Sequence, residues 1–244
     1  MGSRAVLRFY AELNDFLPPE KRQTAFSHKF FGQPSVKDMI ESLGVPHTEV
    51  DLILAEDRSV DFNYRVNDGD RISVFPMFEA IDISKVLKVR PEPLREPRFV
   101  LDTHLGKLAN YMRMLGFDTL YKNNYDDETL ALISTKQRRI LLTRDRGLLK
   151  RSVVTHGYLI RADDPREQVK EVLQRFDLHG AIKPFSRCMR CNGKLLEAAF
   201  EEVKEQLPPR VRKFASEYKR CSECSQVYWK GSHYKAMKKF IEDL

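Results

Sequence analysis

Four short apolar runs recur about every twenty residues through the middle of the chain. They cover residues 98–101, 117–121, 139–142 and 157–160, and helix-like stretches separate them. Strands that alternate with helices in this way favour a parallel sheet with helices on its faces. The pattern therefore predicts an α/β domain in this part of the chain.

Two of the intervening helices have clear ends. Apolar residues from Leu105 to Leu115 recur at helical spacing, and Gly116 follows them as a C-cap signal. A second stripe covers 169–176 and follows Asp164, which we expect to cap the helix because Pro165 and Glu167 come next. Both stripes predict helices that are buried on one face.

The first ninety residues have a different pattern. Strand-like runs at 4–10, 51–54 and 71–75 surround an amphipathic helix that begins near Val36. This small α+β unit resembles the β-grasp, ubiquitin-like domains that are related to small sulfur carriers. Such carriers act through a free C-terminal Gly-Gly, whereas the last run here continues through 76–79, so a sulfur-transfer function is disfavoured.

A stiff segment with three prolines separates this unit from the α/β region. We therefore predict a ubiquitin-like domain at 1–87, a linker at 88–97 and the α/β domain at 98–181. The rest of the chain, 182–244, contains two C-x₂-C cysteine pairs and is predicted to form a zinc ribbon with a C-terminal helix. The linker also predicts that the front domain is separable, so that a protein beginning near Glu96 retains its activity.

Charge and composition narrow the function. The 244-residue chain has a formal net charge of +7, and residues 182–244 hold fourteen Lys and Arg against eight Asp and Glu. A basic tail indicates a polyanionic substrate such as RNA. The sequence has no apolar run of eighteen residues and no signal-peptide pattern, so we expect a cytoplasmic protein with no membrane partner.

Carboxylates follow each of the four apolar runs. In chain order they are Asp102, the cluster 126–128, Asp145 and the pair 163–164. The carboxyl ends of parallel strands meet at one edge of a sheet, where these acids would repel one another unless a cation joined them. Mg²⁺ and Mn²⁺ prefer such oxygen ligands and support phosphodiester hydrolysis. The alternative is that each acid only caps the following helix, which is the better interpretation for Asp164.

At these acids the chain resembles a known family. The runs VLDTHLGKLA at 100–109, LGFD at 115–118 and LLTRDR at 141–146 are similar to the PIN-like ribonuclease family named for the C-terminal domain of the animal Mut-seven protein. The ubiquitin-like front is similar to a domain that is joined to this family in prokaryotes.

The resemblance implies that acids at the sheet edge hold Mg²⁺ or Mn²⁺ and cleave RNA. Asp102 and Asp145 match the first and third acids and are the expected metal ligands. Glu128 or Asp127 fits the second acid, and Asp163 the fourth. The predicted catalytic set is therefore Asp102, Glu128, Asp145 and Asp163.

The basic tail contains the most specific local motif. Cys188 and Cys191 form one C-x₂-C pair, and Cys221 and Cys224 form another after 29 residues. Four thiolates at this spacing predict a structural Zn²⁺ site, with an inserted, helix-containing segment at 197–212. A pair of redox motifs is the less favoured alternative.

Basic residues near both predicted metal sites are candidates for RNA contact. They are Arg144 and Arg146 beside the acids, and Arg210, Arg212 and Lys213 in the tail. Rings such as Tyr218 could stack on bases, although a small ribbon also needs aromatic residues for its own core. We predict a metal-dependent endoribonuclease that acts on single-stranded or loop RNA. The alternative is a catalytically silent RNA-binding or adaptor protein, and the sequence identifies no protein partner for the ubiquitin-like domain.

Overall fold

The computed structural model describes residues 2–76, 88–89, 97–214 and 216–244, without the side chains of 213 and 214. The chain divides into two compact units that interleave along the sequence. The first contains Met1–Glu96 and Asp127–Leu159, and the second contains Pro97–Asp126 and Ile160–Leu244. Most of the predicted linker and residues 77–79 lie outside the described residues, so the bounds of the four predicted segments stay predictions.

The front of the chain forms a five-stranded sheet with one helix. Strand β1 pairs in parallel with β5 at its centre, and the other pairings are antiparallel, in the order β2-β1-β5-β3-β4. This arrangement confirms the ubiquitin-like domain. The elements are β1 (Ser3–Phe9), β2 (Phe26–Phe30), α1 (Val36–Ser42), β3 (Leu52–Ala55), β4 (Arg58–Val60) and β5 (Arg71–Phe75).

The four apolar runs all form strands, here β6 to β9, and helices follow each of them. Strands β6 and β7 pair in parallel in the second unit, as do β8 and β9 in the first. The predicted α/β class is confirmed. The elements are β6 (Phe99–Leu101), α2 (Gly106–Met114), β7 (Thr119–Leu120), α3 (Asp127–Lys136), β8 (Ile140–Thr143), α4 (Arg146–Leu149), β9 (Gly157–Leu159) and α5 (Pro165–Arg175).

The tail forms a small antiparallel sheet with helices in its insertion and at its end. Strand β11 lies between β10 and β12. The elements are β10 (Leu195–Ala198), α6 (Phe200–Val203), α7 (Val211–Phe214), β11 (Tyr218–Cys221), β12 (Val227–Trp229) and α8 (Ser232–Glu242). Short 3₁₀ helices lie at Ala11–Phe16, Pro19–Lys21, His47–Glu49, Thr103–Leu105, His179–Ala181 and Lys204–Gln206.

Within the first unit, the turn His47–Glu49 of the ubiquitin-like domain contacts the segment around β9. The Leu159 N–H donates to Glu49 Oε1 at 2.5 Å, and the Glu49 side chain is fully buried. His47 Nε2 donates to the Val154 carbonyl at 2.8 Å. A buried carboxylate that accepts a strand N–H is costly to remove. These contacts argue against a freely separable front domain.

Helix α2 organises the core of the second unit. Its apolar stripe is buried, and Gly116, which follows the capping residue Leu115, ends the helical backbone with a φ of +97°. A β-carbon there would collide with the Lys183 carbonyl, so both the backbone conformation and the space require glycine. The predicted C-cap is confirmed.

The final helix α8 packs on helices α2 and α5 of the second unit. The centre of the Phe240 ring lies 4.8 Å from the centre of the Tyr111 ring in α2. The Arg166 guanidinium of α5 lies 5.4 Å from the centre of the Phe240 ring. Across the described parts of the chain, the helices are too short or too polar to cross a lipid bilayer.

Candidate metal centre and nucleic-acid interface

The four cysteines of the tail come together in the second unit. Their Sγ atoms all lie within 4.8 Å of one another, with 3.6 Å between Cys188 and Cys224 and 3.4 Å between Cys191 and Cys221. Sulfur atoms about 2.3 Å from a shared tetrahedral Zn²⁺ stand roughly 3.8 Å apart. The four sulfur donors and the distances between them therefore fit a zinc ion.

Tight turns shape both cysteine pairs. Asn192 has a φ of +74° and its N–H donates to the Cys188 carbonyl at 2.9 Å. Ser225 has a φ of +58° and its N–H donates to the Cys221 carbonyl at 3.2 Å. A left-handed residue directly after each pair reverses the chain and leaves the two thiols on the same side.

The cluster already favours negative charge at one sulfur. Burial acts to raise the pKa of Cys188, but hydrogen bonds from the Tyr228 hydroxyl and the backbone N–H groups of Arg190 and Cys191 outweigh it and lower that pKa to about 7. Burial raises the pKa of Cys191 to about 12. Because only thiolates bind Zn²⁺, Cys188 is the sulfur of these two that its surroundings prepare for metal binding.

A buried arginine from helix α2 holds the first cysteine pair. The Arg113 side chain is 3% exposed, and its Nη1 donates to the carbonyls of Met189 and Arg190 at 3.0 and 3.2 Å. Its Nε donates to the Thr119 carbonyl at 2.9 Å. The guanidinium thus joins α2, β7 and the loop of the first cysteine pair.

A second network joins the same loop to strand β7. Asn192 accepts from the Thr119 N–H at 2.9 Å and donates to Asp118 at 2.8 Å, and Arg187 pairs with that carboxylate at 3.3 Å. Sequence reasoning missed Arg113, Asp118 and Asn192. The dipeptide Asn192-Gly193 was a usable turn signal, whereas Arg113 lies beside an apolar stripe and has no local signature.

Asp102 follows β6, where the sequence places the first acid. It is 8% exposed and caps the turn Thr103–Leu105, with Oδ1 accepting from the Thr103 N–H at 2.5 Å. The capping role is therefore real. A carboxylate has a second oxygen, so capping does not exclude metal binding.

The other acids divide between the two units. Asp145 caps α4 through the Gly147 N–H at 2.6 Å, and Glu128 lies exposed in the first turn of α3, both in the first unit. Asp163 lies exposed before α5 in the second unit, where Asp164 accepts from the Arg166 N–H at 2.8 Å. Asp164 is thus the expected cap, and the joint metal site of the four acids stays a prediction.

The predicted basic contacts have different surroundings. Arg144 and Arg146 are exposed beside Asp145, and the Arg146 guanidinium lies 5.1 Å from the centre of the Phe16 ring. Arg210 is exposed, whereas Arg212 uses its Nε to donate to the Leu207 carbonyl at 3.0 Å. The Lys213 side chain lies outside the described residues.

The rings of the ribbon are used largely for its own packing. Tyr218 is 5% exposed and belongs to a core cluster with Val203, Leu207 and Val227, against which Trp229 packs. Base stacking by Tyr218 is therefore wrong, because this small sheet has few other side chains to exclude water.

Comparison with known proteins fits this arrangement. Residues 97–241 match the Mut7-C RNase domain family, which is more than half of the chain, and residues 2–82 match the Mut7-C ubiquitin family. The chain belongs to the Mut7-C RNase family. Family membership confirms the resemblance found in the sequence and supports a nuclease.

One curated relative extends the comparison. The chain is 34% identical over 108 residues to the human exonuclease mut-7 homolog, covering 41% of this chain and 12% of that protein. The chain therefore spans a small part of that relative's length. No solved structure matches the chain.

Proposed function

We propose that this protein is a metal-dependent ribonuclease that hydrolyses phosphodiester bonds in RNA. The observation that carries the proposal is the place of Asp102, which directly follows strand β6 inside the segment that matches an RNase family. An acid at the carboxyl end of a parallel strand lies where ligands bind in such sheets. The name of the human relative, an exonuclease, agrees with this class of activity.

In this proposal the four acids hold the catalytic ions. Asp102 and Asp145 are the principal Mg²⁺ or Mn²⁺ ligands, and Glu128 and Asp163 complete the site. Bound ions would supply an activated water and neutralise charge on the scissile phosphate. The strand-end positions of Asp102 and Asp145 support their role, and Thr143 helps to orient the latter by accepting its N–H at 2.9 Å.

The cysteine cluster has a separate, structural part in the proposal. Four thiolates fill the coordination shell of Zn²⁺ and leave no position for a catalytic water. The ribbon then presents basic side chains to single-stranded or loop RNA, with Arg210, Arg212 and Lys213 on the ribbon and Arg144 and Arg146 near Asp145. Their contacts are with phosphates, which give affinity without sequence preference.

Substitution of the acids tests the catalytic assignment. Asp102→Asn and Asp145→Asn should each lower the rate of Mn²⁺-dependent RNA cleavage by about a hundredfold or more, because each removes a charged metal ligand without changing side-chain volume. Asp163→Asn should do the same. The matched control, Asp164→Asn, should cleave at the parent rate because Asp164 caps α5.

Two readouts make this experiment decisive. A circular RNA that becomes linear shows cleavage within the chain, whereas an end-labelled linear RNA that loses single nucleotides shows an exonuclease. Cleavage that persists in both Asp102→Asn and Asp145→Asn refutes the proposal. RNA binding without cleavage by the unmodified protein supports the adaptor instead.

A further inference from the structure

A cleft in the second unit lies beside the turn that Asp102 caps. It has a volume of about 680 Å³ and opens to solvent. Its walls come from three places in the sequence: the first turns of α2, the segment after β7 and the loop of the first cysteine pair. The lining residues that carry the argument are Lys107, Asn110, Lys122, Asn123, Asn124 and Arg190.

The chemistry of the lining is cationic and amide-rich. Lys107, Lys122 and Arg190 are exposed around the cleft, and none of its described lining residues is an acid. The first turn of α2, which forms one wall, also lacks acids that would offset the positive charge of Lys107. Ammonium, guanidinium and amide groups are the donors with which proteins bind phosphate oxygens and sugars.

Buried contacts hold the walls of the cleft together. Arg113 lies beneath them and donates to the carbonyls of Met189, Arg190 and Tyr121, the last at 3.4 Å. The Tyr121 hydroxyl donates to the Thr103 carbonyl at 2.9 Å, one residue after Asp102. The same bonds that shape the cleft therefore join it to both the cysteine loop and the turn of Asp102.

We propose that this cleft binds the phosphate backbone of the single-stranded RNA substrate on its way between the zinc ribbon and Asp102. This inference rests on the proposed ribonuclease function and adds a binding site that Lys107 and Lys122 form with the loop of the first cysteine pair. RNA is favoured over an acidic protein because three asparagine amides, which can bind sugar and phosphate oxygens, lie among the cations of the lining. Arg113 is a positioning residue here, since its donors are used by backbone carbonyls.

RNA binding that is measured without cleavage tests the cleft directly. The full-length Asp102→Asn protein prevents turnover, and fluorescence anisotropy of a labelled single-stranded oligonucleotide gives the Kd at several salt concentrations. Lys107→Gln, Lys122→Gln and Arg190→Gln together should weaken binding about tenfold or more. They should also reduce the log–log salt slope by about 2, because three phosphate contacts on a single strand are lost.

A matched control separates the cleft from overall charge. Lys235→Gln, Lys238→Gln and Lys239→Gln on helix α8 remove the same number of charges, and their slope should stay near that of the parent. If the cleft variant keeps its slope, or if the control loses as much, the proposal is overturned. Polyglutamate that competes as well as unlabelled RNA overturns it in favour of an acidic protein.

The outcomes also distinguish this inference from the proposed function. Should the triple variant release its zinc, Lys107→Gln with Lys122→Gln leaves the cysteine loop untouched and should still reduce the slope by about 1.4. If the unmodified protein cleaves RNA efficiently and the salt slope of the cleft variant is unchanged, RNA binding by the cleft is refuted and the nuclease assignment stands. No cleavage by the unmodified protein together with cleft-dependent binding refutes the nuclease assignment alone.

Discussion

Arg113 shows how one residue can join a helix of the α/β region to the loop of the first cysteine pair. Burial lowers the pKa of its guanidinium, while the nearby cysteine sulfurs act in the opposite direction. The charge is kept because the side chain faces several carbonyls and a cluster that becomes anionic when it binds metal. A lysine could not replace it fully, because only a guanidinium offers donors in a planar fork.

Substitution of Arg113 tests whether its hydrogen bonds hold the cysteine loop. Arg113→Met should lower the free energy of unfolding by about 3 kcal/mol, because several buried carbonyls lose a charged donor. It should also speed the loss of zinc to a chelator. Urea unfolding and a colorimetric zinc assay measure the two effects.

Arg113→Lys is the matched control for that experiment. It keeps the charge but reaches fewer carbonyls, so its stability should lie between those of the parent and Arg113→Met. If Arg113→Met retains both parental stability and parental zinc retention, the carbonyl contacts do not hold the loop.

At the scale of the element, the ribbon combines a small core with a metal cluster. Tyr218, Val227 and the insertion residues Val203 and Leu207 form its cluster of buried side chains. So few apolar side chains supply little folding free energy by themselves. The cysteine cluster must therefore stabilise the element when metal is bound.

Loss of two thiolates should unfold this element. Cys221→Ser with Cys224→Ser removes half of the donor set, so bound zinc measured by elemental analysis should fall from about one equivalent to near zero. Proteolysis should then cut the tail between 195 and 230. Full zinc content in this variant would show that the metal lies elsewhere.

A charge variant of the same element separates folding from binding. Arg210→Gln with Arg212→Gln should retain zinc, since neither side chain is a ligand. The RNA affinity should fall only modestly, because Arg212 Nε already donates to the Leu207 carbonyl. This contrast distinguishes the metal's structural role from phosphate contact by the ribbon.

In the whole molecule, each compact unit is built from two segments that lie apart in the sequence. The ubiquitin-like domain shares its unit with α3, β8, α4 and β9. Besides the contacts of His47 and Glu49, Lys150 of the nuclease-like segment donates to the Glu41 carbonyl at 2.8 Å. The front domain therefore supports the segment that contains Asp145.

Substitution of Glu49 tests whether the front domain supports strand β9. Glu49→Ala should lower the free energy of unfolding by about 2 kcal/mol, because the buried Leu159 N–H loses its acceptor. Exchange of the Leu159 amide hydrogen, followed by NMR, should become faster. Glu49→Gln, which retains an accepting oxygen, is the control and should protect that amide better than alanine.

Truncation extends the same test. The proline-rich segment predicts that a protein beginning near residue 96 keeps its cleavage, whereas the contacts predict a destabilised 127–159 segment and reduced cleavage. A truncated protein with parental stability and parental activity would show that the front domain is separable after all.

The sequence by itself determined the strands and helices of the α/β region and the two cysteine pairs. Periodicity of apolar residues located strands β6 to β9 and helix α2, and Gly116 ended that helix as expected, because these signals act within a few residues of backbone. The C-x₂-C spacing was sufficient to predict the cysteine cluster, since two short turns and four thiols define most of its geometry. Asp164 was recognisable as a cap for the same local reason.

Only the tertiary structure decided which side chains act together over long sequence distances. The residues near Arg113 in the sequence do not predict its hydrogen bonds to the carbonyls of Met189 and Arg190. Those near Glu49 do not predict its hydrogen bond from the Leu159 N–H. Burial of Tyr218 and the cationic cleft likewise depend on which distant segments the fold brings into contact. Local propensity specifies backbone conformation residue by residue, whereas burial and hydrogen bonding between segments are satisfied only when the whole chain packs.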